Sequence, residues 1–166
     1  GDGGGANPVE KRGGGGGPRL MRARGYIDVL IPRGSAGLIS TVVNESTVPV
    51  IETGSGIVHV FVDASAEEEK AASIVKNAKT HRPSVCNAAE TLLVHRDAAE
   101  RLMPRLAREL HEESVVLHGD ERASALADGI GPAADEVWET EHLALEMGVK
   151  VVDSLDEALA HIERYS

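Results

Sequence analysis

Aromatic side chains are nearly missing from this chain: one Trp, two Tyr and one Phe in 166 residues, 2% of the whole. That scarcity excludes the stacking platforms on which single-stranded nucleic acids are held. Cysteine is rarer still. The single Cys86 cannot form a disulfide within the chain, which fits a reducing compartment. No apolar run approaches the roughly 20 residues of a membrane span, and the first residues have no apolar signal core. Excess positive charge is also lacking. The formal net charge is −10, which disfavours nucleic acid and anionic membranes as partners.

What is present is a composition of globular type, 42% hydrophobic and 27% charged, in a chain long enough to bury a core. The charge is unevenly placed. Residues 1–26 carry a balance of +3 and the remainder −13. Residues 1–25 are of low complexity, with glycine unbroken from Gly13 to Gly17. Ordering such a run costs backbone entropy, so a disordered arm is expected there. It is not a phosphate loop, because no strand precedes it and no Gly-Lys-Ser/Thr closes it.

From Tyr26 the pattern alternates. Short apolar strands are expected at 27–31 and 48–51, with a helix over 35–43 between them and a loop over 54–56. A β-branched strand follows at 57–62. Helix 66–79 opens on a capping signature, Ser65 with Glu68, and its Ala71, Ile74, Val75 and Ala78 recur at helical spacing. Strand 90–95, helix 98–110 (Asp97 with Glu100) and strand 114–117 come next. Pro104 should bend that helix. Residues 119–140 show no clear period and read as a loop with a helical turn near 124–128. An extended stretch over 143–152, broken at Gly148, precedes a third capping signature, Ser154 with Glu157. This opens helix 155–165, with Leu155, Ala158, Leu159 and Ile162 inward. Strands alternating with amphipathic helices, and little hairpin chemistry, predict an α/β fold with a mainly parallel sheet.

Cys86 lies where a helix ends at Pro83 and a strand is about to begin, in Arg82-Pro83-Ser84-Val85-Cys86-Asn87-Ala88-Ala89-Glu90. A thiol at such a junction is exposed on one side and held on the other. A lone cysteine is otherwise a small buried hydrophobe. The seven histidines have no tight ligand spacing and no second cysteine to join, so no metal site is expected. No nucleophile elbow supports Ser-His-Asp hydrolysis.

Four ordered blocks carry a family resemblance: Ile27 to Ile39, Ser46 to Gly56, Asn77 to His95 around the cysteine, and Trp138 to Glu141 continued by Val149 to Ala158. They resemble the γ-glutamyl phosphate reductases of proline biosynthesis, members of the aldehyde dehydrogenase superfamily. The resemblance runs from about Tyr26 to Ser166. It implies an aldehyde dehydrogenase-like catalytic domain over 46–166 and a remnant of the NADP-binding domain over 26–45. The front of that domain has no counterpart, so the chain looks like a fragment.

The activity implied is NADPH-dependent reduction of L-glutamyl 5-phosphate to L-glutamate 5-semialdehyde, with Cys86 as nucleophile. Its backbone N–H would face the oxyanion. Lys79 and Arg82 are the cations nearest in sequence to the thiol. By the same resemblance Glu141 would hold the nicotinamide ribose, and Gly34 with Ser35, ahead of a helix, would meet the dinucleotide phosphates. Glu52 stands where aldehyde-oxidising relatives keep a general base, a role that an acyl-phosphate reductase does not need. The expected partner is a small-molecule substrate rather than nucleic acid or membrane, the expected setting is cytoplasmic, and a homo-oligomer is possible. Two other readings remain open: a non-catalytic remnant of the fold, and an aldehyde-oxidising dehydrogenase that depends on Glu52.

Overall fold

The computed structural model describes residues 16–34, 36–52 and 56–166. The glycine-rich stretch up to residue 15, Ser35, and residues 53–55, which include Gly54 and Ser55 of the expected 54–56 loop, lie outside the described residues. The chain divides into two compact units, Gly1–Gly54 and Ser55–Ser166.

The first unit is held by few regular elements. Helix α1 spans Gly16–Met21, so the expected disordered arm does not extend to residue 25. Met21 is buried, and its carbonyl accepts from the Thr47 amide (2.9 Å) and the Ser46 hydroxyl (3.0 Å). A buried side chain and satisfied carbonyl supply what the glycines alone cannot. Helix α2 spans Ala36–Glu45. The two expected short strands meet only through a single parallel bridge, Leu30 with Val50. Its bonds run from Leu30 N to the Pro49 carbonyl and from Ile51 N to the Leu30 carbonyl, each 2.9 Å. Pro49 has no N–H to extend the ladder. These bonds also put residues 46–52 in the first unit, so the structural division falls later than the expected boundary at 45/46.

The second unit is a five-stranded, all-parallel sheet. Its elements in order are β1 (Val58–Val62), α3 (Glu68–Thr80), β2 (Ala89–His95), α4 (Arg96–Glu112), β3 (Val116–Gly119), α5 (Glu121–Leu126), β4 (Ile130–Pro132), α6 (Asp135–Glu139), β5 (Glu146–Val152) and α7 (Leu155–Tyr165). The strand order is β1-β2-β5-β3-β4. Connections advance in one direction as far as β4, and α6 then returns the chain to the centre. Because parallel crossovers are nearly always right-handed, that reversal places α3, α4 and α5 on one face and α6 and α7 on the other. The two core clusters agree: one gathers side chains from α3, α4 and α5, and the other sets Ala158 of α7 against Leu93 and Val152.

Interior strand β2 is buried from Ala89 to Val94, as a strand covered on both faces must be; Leu92, Leu93 and Val94 are an apolar run, and Glu90 and Thr91 are buried with them. Burying each of Leu92, Leu93 and Val94 contributes about 2 kcal/mol. Helix α4 turns Ala98, Ala99, Leu102, Met103, Leu106 and Leu110 inward, while Pro104 stays on its exposed face and the helix continues through it.

Several local expectations change. Residues 119–140 hold α5, β4 and α6 rather than one loop. Strand β4 is an edge strand, where Pro132 is tolerated because one side needs no ladder donor. Gly148 lies inside an unbroken β5; a Cβ there would sit 2.9 Å from Trp138 Cζ3 and 3.1 Å from Val137 Cγ1. Glycine at that position admits α6 against the sheet.

Only one of the three capping signatures forms. Ser154 accepts from the Glu157 amide at 3.1 Å. Ser65 instead turns back to Asp63, and α3 starts at Glu68 without a side-chain cap. Helix α4 starts at Arg96, with His95 Nδ1 accepting from the Asp97 amide.

Candidate active site

Each functional candidate of the second unit lies in a loop entering a strand. Cys86 is between α3 and β2, and Glu141 is between α6 and β5. β2 and β5 are adjacent and parallel, in register from Thr91 with Gly148 to His95 with Val152. Both loops therefore lie at the amino edge of the sheet. Ligands of open α/β sheets usually bind at the carboxyl edge. Here that edge is filled by aspartates serving the fold. Asp120 accepts from the Ala123 and Val151 amides, Asp153 pairs with Arg122 at 2.9 Å, and Asp63 accepts from Ser65.

The cysteine segment is two successive tight turns. Val85 N donates to the Arg82 carbonyl at 3.3 Å, with Pro83 and Ser84 between; Ala88 N donates to the Val85 carbonyl at 3.0 Å, with Cys86 and Asn87 between. Proline's fixed φ suits the first turn. In the second, the amides of the two central residues are not consumed by the turn bond. Among the described residues, neither the Cys86 nor the Asn87 amide has an acceptor. Buried Ala88 and Ala89 anchor the segment, and the Cys86 thiol is exposed. A nucleophile beside its own free N–H is the arrangement that stabilises an oxyanion on an attacked carbonyl.

Glu141 is half-buried, and its carboxylate has no hydrogen-bond or ion-pair partner among the described residues. Its position is set by its neighbours. Trp138 is buried over Gly148, with its ring edge-on to His161 at 5.3 Å. Two residues after Glu141, Leu143 takes a left-handed conformation (φ 51°), and its amide donates to Glu90 Oε1 at 3.1 Å. A free carboxylate on a held loop can accept from a sugar hydroxyl.

Lys79 does not serve the thiol. It is completely buried and donates to Glu90 Oε2 at 2.8 Å. Arg82 is exposed and has no ion pair among the described residues. Glu90 is the residue that sequence reasoning passed over. Its signal was present: a carboxylate beside Ala89 and just ahead of the apolar run Leu92–Val94 needs a buried partner, and Lys79 falls on the inward face of α3 with Ala72 and Val75.

Gly34 and Glu52 belong to the first unit, and Ser35 is outside the described residues. Gly34 has φ 154°, and a Cβ there would come 2.7 Å from Leu38 Cδ2, so its local geometry requires glycine irrespective of any phosphate. Glu52 is exposed. The histidines have structural surroundings. Burial pushes His161 down to about 4, with His59 and Lys150 adding to the effect. Burial also lowers His59, against the raising effect of its bond to the Ile57 carbonyl. No group of three or more His, Cys, Asp or Glu among the described residues is placed to hold a metal ion. No helix among them is long and apolar enough to cross a membrane.

Comparison with known proteins shows what the chain is similar to. No family model matches the chain. The chain is 59% identical over 147 residues to the γ-glutamyl phosphate reductase of Thermobifida fusca, a match covering 89% of this chain and 35% of the relative. The crystal structure of γ-glutamyl phosphate reductase from Thermotoga maritima superposes with a TM-score of 0.86 at 45% identity, over 90% of this chain and 36% of that one. An acetylating aldehyde dehydrogenase from Geobacillus thermoglucosidasius shares the fold, with a TM-score of 0.64 at 17% identity, over 90% of this chain and 40% of that one. The chain thus spans about a third of the length of the curated relatives it matches.

Proposed function

From a chain homologous over 89% of its length to part of the γ-glutamyl phosphate reductases, we propose the cysteine-bearing portion of an enzyme that reduces L-glutamyl 5-phosphate to L-glutamate 5-semialdehyde. The observation carrying this reading is an exposed Cys86 at the head of a tight turn with its own amide free. In this reading the Cys86 thiolate attacks the acyl carbonyl carbon, a C–S bond forms, and the C–O bond to phosphate breaks as phosphate leaves. The Cys86 N–H donates to the oxyanion at each tetrahedral stage; losing one such donor typically costs about 100- to 1,000-fold in rate. Bound NADPH would supply the hydride that reduces the thioester carbonyl. Breakage of the C–S bond then frees the aldehyde and restores the thiolate.

Glu141 fits the cofactor by its unpartnered carboxylate, which would accept from the nicotinamide ribose. The thiol chemistry suits a reducing, cytoplasmic setting in proline biosynthesis, and assembly as a homo-oligomer is compatible with it.

The alternative is a non-catalytic portion of this fold, which keeps the reactive turn without turnover of its own. Titration calorimetry with NADPH and a turnover assay separate the two. Micromolar binding, together with semialdehyde formation that Cys86→Ser abolishes, supports the reductase. Binding absent at millimolar cofactor supports the non-catalytic reading. Turnover surviving Cys86→Ser overturns the assignment of the nucleophile.

A further inference from the structure

We propose that Glu90 is a positioning residue whose one carboxylate couples the Cys86 turn to the Glu141 loop. Glu90 is 1% exposed and stands at the second position of β2, four residues after the thiol. Its two oxygens are divided. Oε2 takes Lys79 Nζ at 2.8 Å, and Oε1 takes the Leu143 amide at 3.1 Å.

The first contact closes the cysteine loop at its base. Lys79 is the penultimate residue of α3, so the ion pair joins the element that enters the loop to the strand that leaves it. The second contact reaches the other loop, holding the left-handed Leu143 two residues after Glu141. A non-glycine residue in that conformation persists only where its surroundings hold it.

Stability alone does not explain this pair. A buried ion pair is on average no better than well-packed apolar side chains of similar volume. Apolar residues at 79 and 90 would fill the space but leave the Leu143 amide without an acceptor. What the pair adds is a fixed relation between a nucleophile and a carboxylate on neighbouring loops. The purpose of that relation rests on the function proposed above; the coupling itself does not.

The test uses the 166-residue chain, with K79M/E90M replacing both charges by apolar groups. Three quantities are measured: melting temperature, amide exchange at residues 141–143, and the rate of Cys86 alkylation by iodoacetamide. The expected result is a melting temperature close to that of the parent with exchange at Leu143 faster by about 10- to 100-fold and an altered alkylation rate, by about threefold or more. Parental exchange and alkylation in a folded double variant overturn the proposal. If that variant does not fold, K79Q/E90Q carries the test, because it leaves no buried charge unpaired. It keeps a neutral acceptor oxygen at position 90, and exchange at Leu143 should rise several-fold, to about tenfold, while the β5 amides stay at parental rates. Unchanged rates in K79Q/E90Q overturn the proposal equally. The exchange readout concerns the coupling whatever reaction the chain performs, so failure of the reductase reading, seen as absent NADPH binding, is a separate result.

Discussion

The two units of this chain use similar residues to different effect. In the first, Val29, Ile31, Leu38 and Ile51 are exposed, and its extended segments touch through one bridge. In the second, apolar residues of the same kinds, Leu92, Leu93, Val94 and Val149, are completely or almost completely buried in a continuous parallel ladder. Apolar content therefore does not decide which stretch becomes a core. Partners do: a strand acquires a buried environment only when neighbours cover both of its faces.

That contrast can be broken or sharpened by measurement. The largest expected effect is in amide exchange. Amides of β2 and β5 should exchange about a thousandfold more slowly than the bridging amides of Leu30 and Ile51, since local opening spans the range from fraying to global unfolding. Equal protection in the two units would erase the distinction. Next, Leu102→Ala, at a completely buried position of α4, should cost about 3 kcal/mol in urea unfolding, whereas Leu38→Ala, at an exposed position of α2, should cost a few tenths.

Acid should act on the second unit. The folded-state value of His161 is depressed to about 4 and that of His59 is lowered in the same direction, so the unfolded chain binds protons that the folded chain refuses. Their contribution is fully present above about pH 6.5 and is lost as pH falls toward 4, with an upper bound of about 3 kcal/mol from His161. Midpoint denaturant concentrations across that range check the sign, and His161→Gln should flatten the slope. Gly148→Ala should then cost about 1–2 kcal/mol, because the new methyl meets the Trp138 ring at 2.9 Å; thermal melting reads it. Smallest is Ser154→Ala, about 1 kcal/mol through loss of the α7 cap, against almost nothing for Ser65→Ala.

The α/β class and most of the long elements were legible because their periods are strong: the alternation through α4, the β-branched run of β1 and the apolar run of β2. Less legible were elements fixed by tertiary context. β4 is three residues long and exists by pairing with β3. α6 depends on Gly148 making room for it. The face of α7 was legible in part: Ala158 is buried and Ile162 packs beside it as expected, but Leu155 and Leu159 are exposed and His161 is buried instead, so the helix packs through an imidazole against Trp138 and His59. Ile74 of α3 is likewise exposed, and Lys79 holds the inward position. At the site, the cysteine turn followed from Pro83 and the family blocks. The Lys79–Glu90–Leu143 connection did not, because its members lie 11 and 53 residues apart and only the sheet brings them together.

Trp138 is the only tryptophan in the chain, and it lies three residues before Glu141. Its indole is pinned between a glycine of the sheet and an imidazole of the last helix. The chain thus carries its own optical probe at the margin of the proposed cofactor contact. Emission from a single fluorophore, free of competing tryptophans, should register any ligand that shifts the Glu141 loop, without a label and without turnover.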